Sequence, residues 1–337
     1  MNEKEIFILY FFELSFLVVI PNLPENARWI DSGVTVAGGN ASGSSSSRLD
    51  NPYGFYVDDD QTLYIADYGN HRVMQWKKGS QYGRVVAGGN GKGIRPDQLY
   101  DPTDVVFDKE TNSVIICDHA NQRIQQWSLL SDTTQGETLI SNINCWGLAM
   151  DNQRYLYVSV QTPPQVRRYR IGETNGTIVA GGGTRGSNLD QLAWPYYLFV
   201  DQALNVYVSD GGNNRVVKWS QGAKAGIVVA GGYESGNALI QLSDPRGIAI
   251  DTLDNLYVSD SGNHRIMRWF KGAKKSAIVL GGNGYGVSPK QLYIPNDISF
   301  DRHGNLYVVD RQNHRIQQFT LQQNQDNQTN FLFRSFK

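Results

Sequence analysis

The chain has 337 residues, with 31 Lys and Arg against 32 Asp and Glu and a net charge of −1. That balance argues against general nucleic-acid binding, which draws on an excess of basic residues, and the basic residues here are spread along the whole chain. Hydrophobic content of 40% with 35 glycines points to a turn-rich β protein.

In chain order, residues 6–20 form an apolar stretch interrupted by Glu13 and Ser15. It is shorter than the roughly 20 residues a membrane span needs and has the length of a secretory hydrophobic region. Its flank, Met1-Asn2-Glu3-Lys4-Glu5, is not basic, and no clear small-x-small cleavage site follows. Residues 1–26 are therefore expected to be a signal peptide or short anchor, with a remnant lying on the following domain as the alternative. The first reading implies a secreted or membrane-anchored protein, touching membrane only through this segment; the second leaves a cytoplasmic location open.

The first short β-type run, Val34-Thr35-Val36-Ala37-Gly38-Gly39, precedes a Ser/Gly-rich loop at 41–47. From there one phrase repeats. Its clearest copy is Pro245-Arg246-Gly247-Ile248-Ala249-Ile250-Asp251, then Leu256-Tyr257-Val258-Ser259-Asp260, then Asn263-His264-Arg265-Ile266, then Ile278-Val279-Leu280-Gly281-Gly282. Short runs of β-branched and aromatic residues bounded by Gly, Asn and Asp read as strands and turns. The Asp closing the second strand recurs as Asp67, Asp118, Asp210, Asp260 and Asp310, and the Arg five residues later as Arg72, Arg123, Arg215, Arg265 and Arg315. A sixth, degenerate copy has Val160 and Gln165 in those places. Four short strands cannot bury their own faces, so each unit needs copies beside it. Six such units predict an all-β, six-bladed β-propeller of four-stranded antiparallel blades over residues 33–319. The last unit stops after its third strand at Phe319, so the strand at 34–37 is expected to complete the last blade and close the ring. Residues 320–337 form a polar tail.

The motif Asp-x-x-Asn-His-Arg-Val/Ile, seen at 67–73 and 260–266 and with Gln312 before Asn313 at 310–316, resembles the NHL repeat. The resemblance implies that the long loops and the Asp…Arg turns share one face, while the Asp-x-x-Gly-Asn-Leu turns lie on the other. It also raises two alternatives to simple binding. NHL arrays serve as substrate-recognition modules of RING-type ubiquitin ligases, although two cysteines are too few for this chain to hold a RING itself. A metal-dependent lyase or hydrolase of the six-bladed propeller type is the other, since such a lyase resembles the same fold.

The recurring Asp and Arg are read as the frame of each turn, in partly exposed pairs worth about 0–1 kcal/mol each. His71, His264 and His314 occupy equivalent slots on different blades, so they do not converge on a metal, and neither metal nor cofactor is expected. Asn90-Gly91-Lys92-Gly93 lacks the Gly-Lys-Ser/Thr and the helix of a phosphate loop. No catalytic motif stands out, which favours binding over catalysis. Cys117 ends a second strand, and Cys145 takes the slot held elsewhere by Pro52, Pro102, Pro195, Pro245 and Pro295. They lie at the same end of neighbouring blades and read either as a disulfide or as two small buried apolar side chains.

Function is expected where the copies differ. From Trp76 to Asp108 and from Trp269 to Asp301 the spacing is 32 residues, but from Trp127 to Asp151 it is 24. The long loop is missing there, which is either repeat decay or a notch beside Trp146 and His119. The two slots after the proline carry Tyr53, Trp146, Tyr196 and Arg246, then Asp104, Tyr197 and Asp297; His119 and Arg311 each follow a turn Asp. These residues are the candidate partner-binding set, since Tyr, Trp and Arg dominate binding hot spots. The expected partner of a monomeric propeller is a protein segment, a peptide or a glycan, met on the long-loop face.

Overall fold

The computed structural model describes residues 21–39, 41–130, 133–274 and 276–322. The apolar stretch at 6–20 and most of the tail at 320–337 lie outside the described residues. The described chain forms six sheets of four antiparallel strands. Blades 1 to 5 begin with the strands Pro52–Val57, Pro102–Asp108, Cys145–Met150, Pro195–Val200 and Pro245–Ile250, each followed by its next three strands in order. Blade 6 begins with Pro295–Phe300 and runs through Leu306–Asp310 and Arg315–Phe319. Its outer strand is Val34–Gly38, paired antiparallel with Arg315–Phe319. The ring is thus closed by the N-terminal strand, which leaves no blade with three strands and an open ladder.

The core is distributed between blades. Tyr64, Val73 and Ala87 of blade 1 pack with Val105, Val114, Ile116 and Trp127 of blade 2. Equivalent clusters fill the other gaps. Residues before the closing strand also belong to the packed body: Leu23, Ala27 and Trp29 are buried with Tyr257 and Phe300. The Trp29 indole N–H donates to the Gly304 carbonyl at 2.8 Å. Among the described residues no helix is long and apolar enough to cross a membrane.

The repeated motif builds one clamp five times. In blade 5, Asp260 accepts from Arg265 Nε at 2.7 Å and from Asn263 Nδ2 at 2.8 Å, and its second oxygen accepts the Ser243 N–H at 2.7 Å. The Arg265 Nη atoms donate to the carbonyls of Asn237 and Ala238 in the preceding long loop, and Asn263 donates to Gly236. Arg72, Arg123, Arg215 and Arg315 do the same with their own loops. These pairs are not partly exposed, as the sequence suggested. All five aspartates are fully buried and the arginines lie under the loops they hold, because the loop folds back over its own clamp.

The recurring His stitches neighbouring blades. His71, His264 and His314 adopt φ between 53° and 56°, a left-handed conformation that His tolerates better than most residues. Their Nδ1 atoms accept the N–H of Asp101, Ile294 and Asn51, each just before the proline of the next blade. The first of each glycine pair is likewise required by geometry. Gly88 has φ +65°, and a Cβ there would meet the His71 carbonyl at 2.6 Å.

Blade 3 has no clamp. Val160 and Gln165 are buried in its place, and Cys145 is joined to Cys117 of blade 2 by a disulfide.

Candidate functional site

The first strands of all six blades run along the ring axis, with their prolines at the long-loop face. The second residue after the proline (or Cys145) alternates around the ring: Gly54, Asp104, Gly147, Tyr197, Gly247, Asp297. The glycines make room for the large side chains. A Cβ on Gly54 would lie 2.2 Å from Asp104 Oδ1, one on Gly147 2.9 Å from Tyr197 Cα, and one on Gly247 2.6 Å from Asp297 Cα. Three bulky residues from alternate blades therefore fill the axis.

They form a septum across the channel. The Tyr197 hydroxyl accepts from Asn296 Nδ2 at 2.6 Å and donates to the Thr103 carbonyl at 3.4 Å, so blade 4 is tied to blades 6 and 2. Asn296 also donates to the Tyr53 carbonyl, Arg246 donates to Asn296 Oδ1 at 2.7 Å, and Thr103 donates to the Trp146 carbonyl at 2.7 Å. Every blade thus contributes to one cross-axis network. Asp104 accepts the N–H groups of Val105 and Leu148, and Asp297 those of Ile298 and Phe55. Burial pushes the Asp297 carboxyl up to about 7, against the pull of those N–H groups. Burial and then the charge of Asp297 push Asp104 well above the usual carboxylate range. Burial, with the two carboxyls adding to it, also raises the Tyr197 phenol.

Above the septum, open to the long-loop face, stands an aromatic bowl. Tyr53 stacks on Tyr68 with ring centroids 4.3 Å apart and meets Trp146 edge-on at 5.6 Å. Trp146 also contacts His119 at 5.1 Å and Tyr196 at 5.2 Å. The Arg311 guanidinium lies 4.4 Å from the Tyr53 ring centre and that of Arg246 lies 4.8 Å from Tyr196, both cation–π contacts. Arg246 is paired with Asp244 at 2.9 Å. Arg311 donates Nε to Asn51 Oδ1 and has no carboxylate partner among the described residues. Burial, together with the nearby charge of Arg246, draws the Arg311 pKa down although Tyr53 opposes it. The Trp146 indole N–H is buried without an acceptor, and buried donors are nearly always paired.

Of the nine candidate residues, the structure brings Tyr53, His119, Trp146, Tyr196, Arg246 and Arg311 together around the bowl. Asp104, Tyr197 and Asp297 lie beneath it as its floor. Tyr68 was not among the candidates, nor were Thr103 and Asn296. The signal for the last two was present: they are the only non-aromatic, uncharged side chains in a slot otherwise filled by Tyr, Trp and Arg. With no long loop before Cys145, Trp146 and His119 border the bowl directly, and His119 Nδ1 donates to the Cys145 carbonyl at 2.7 Å.

A family model described as the NHL repeat matches residues 49–76, 242–268 and 292–319. The chain carries NHL repeats and folds as a six-bladed β-propeller. The matched copies are those of blades 1, 5 and 6, and the fold extends the same unit to the remaining three. No curated protein matches the chain. Many solved structures share the fold. A Bacteroides thetaiotaomicron protein of unknown function aligns over 86% of this chain and 76% of its own at 14% identity and a TM-score of 0.68. An auxiliary nutrient binding protein from the same organism aligns over 90% of this chain and 76% of its own at 15% identity and TM-score 0.63. A catalytically inactive virginiamycin B lyase from Staphylococcus aureus, crystallised with quinupristin, aligns over 84% and 98% at 12% identity and TM-score 0.55. At these identities the likeness is one of fold.

Proposed function

We propose that this NHL-repeat propeller is a non-enzymatic binding protein that captures an acidic peptide segment of a partner protein in the bowl on its long-loop face. One observation carries the reading. An aromatic cluster at the long-loop face holds the half-buried Arg311 guanidinium without a carboxylate partner among the described residues. A carboxylate from outside pairs with the Arg311 guanidinium, and neighbouring apolar side chains of the same segment cover the Tyr and Trp faces. A neutral glycan would stack on the rings but leave Arg311 unpaired. A binding role is in keeping with the nutrient-binding proteins that share the fold. We also propose an extracellular setting, supported by the Cys117–Cys145 disulfide, since such bonds persist in oxidising compartments.

The test is an array of acidic, basic and neutral peptides beside a glycan array, probed with the intact protein. Acidic peptides with aromatic or aliphatic neighbours should be retained, and retention should vanish in Trp146→Ala with Tyr196→Ala while the melting temperature barely moves. Equal loss after substituting the turns of the opposite face, or retention of neutral glycans alone, counts against this reading.

A further inference from the structure

Below the septum lies a second space with a different character. A cavity of about 200 Å3 is lined by residues of the first strands of all six blades, which places it on the ring axis. Its walls are apolar: Val106, Leu148, Leu198, Val200, Ile248 and Ile298. Its ceiling is the underside of the septum, with Asp104, Asp297 and Tyr197. It opens toward the face opposite the long loops, where Lys109, Glu110, Asn152 and Arg154 stand at the rim. The Tyr197 bridges to blades 2 and 6 separate it from the bowl, so whatever fills it does not enter from the peptide side.

We propose that this cavity is a second binding site, for a small apolar amine whose ammonium group sits under the Asp104 and Asp297 carboxyls. Size sets the first limit. An apolar cavity of roughly 150 Å3 accommodates a benzene molecule, so one ring or a short alkyl chain fits here. The ceiling sets the second. Each carboxyl oxygen accepts one backbone N–H, and a carboxylate oxygen retains capacity for another donor. No Lys, Arg or His lines the ceiling of this cavity. A hydrocarbon would fill the walls but seal two carboxyls under apolar surface, which is costly. An acid would bring another negative group to the same point. An ammonium supplies donors and the missing charge together. The rim favours the same sign, because its cations are already committed. Arg154 is shared by Asp108 at 2.6 Å and Glu110 at 2.7 Å, and Lys109 is paired with Asp59 at 2.6 Å.

The experiment is isothermal titration of the intact protein at pH 8 with benzylamine, benzyl alcohol and benzoate, three probes of one shape and different charge. Benzylamine is expected to bind at least tenfold more tightly than benzyl alcohol, and benzoate not at all. Asp297→Asn should bring the amine down to the level of the alcohol. Ser299→Phe, which places a ring in the cavity, should abolish binding of both, and Ile248→Phe serves the same purpose if the first variant does not fold. Trp146→Ala with Tyr196→Ala should leave benzylamine binding unchanged, which separates this site from the bowl. Benzoate binding as well as benzylamine, amine binding that survives the filled cavity or is lost with the bowl, or no binding by any probe would overturn the proposal.

Discussion

Five blades carry the Asp–Asn–Arg clamp and blade 3 does not, and the two kinds of blade differ in what precedes them. Each clamp grips the long loop entering its own blade, the arginine donating to carbonyls 24 to 29 residues upstream. Blade 3 is entered by a short turn at 141–145, so an arginine there would find no carbonyls to gather. Loss of the loop and loss of the signature are one event, and in its place the disulfide ties blade 3 to blade 2. Where the loop is gone, Trp146 comes to the surface of the bowl. The repeat is the frame, and the break in it brings Trp146 beside His119.

The largest expected effect comes from removing a clamp. Arg265→Ala strands the fully buried Asp260 carboxylate and should cost about 3–5 kcal/mol in denaturant unfolding, while Gln165→Ala in blade 3 should cost about 1 kcal/mol. If the two losses are similar, the clamps do not carry the blades. Next, replacing both cysteines by alanine opens a loop set by their separation of 28 residues. The chain-entropy relation puts that at about 3–4 kcal/mol, measurable by comparing oxidised and substituted protein in urea. A smaller loss, about 1–3 kcal/mol, is expected from Val160→Asp with Gln165→Arg. That double variant rewrites the missing signature, but the new pair is buried without a loop to hold. A gain in stability would mean that the signature is sufficient without the loop.

The septum offers the same contrast in another form, charge buried with an ionic partner against charge buried with backbone N–H groups alone. Asp297 titrates at about 7 in the folded chain against an ordinary 3.8. The folded state therefore holds this proton more tightly than the unfolded state, and stability declines as pH rises from about 4 to about 7. Asp104, Tyr197 and Arg246 share its surroundings. Asp297→Asn should flatten the decline over that window when unfolding free energies are compared at successive pH values. An unchanged slope would show that Asp297 is ionised throughout it.

Much of the fold was legible in the residues because a propeller blade is a local object. Strand runs, turn residues and the Asp…Arg spacing recur within one unit, and the missing fourth strand after Phe319 matched the spare strand at 34–37. The positions that face the axis could also be listed. What they would do there could not, because it depends on radial distance. The series Gly54, Asp104, Gly147, Tyr197, Gly247, Asp297 is plain in the sequence, yet only the closed ring makes alternate large side chains meet. There Tyr197 reaches blades 2 and 6, becomes a septum, and divides one channel into two spaces. The depth of the clamps was decided the same way, since a loop covers its own aspartate only after folding back over the blade. The sequence by itself determined the unit, its number and its closure, which local periodicity encodes. The tertiary structure decided which of the varying residues are floor and which are surface, because that turns on contacts between blades nearly a hundred residues apart.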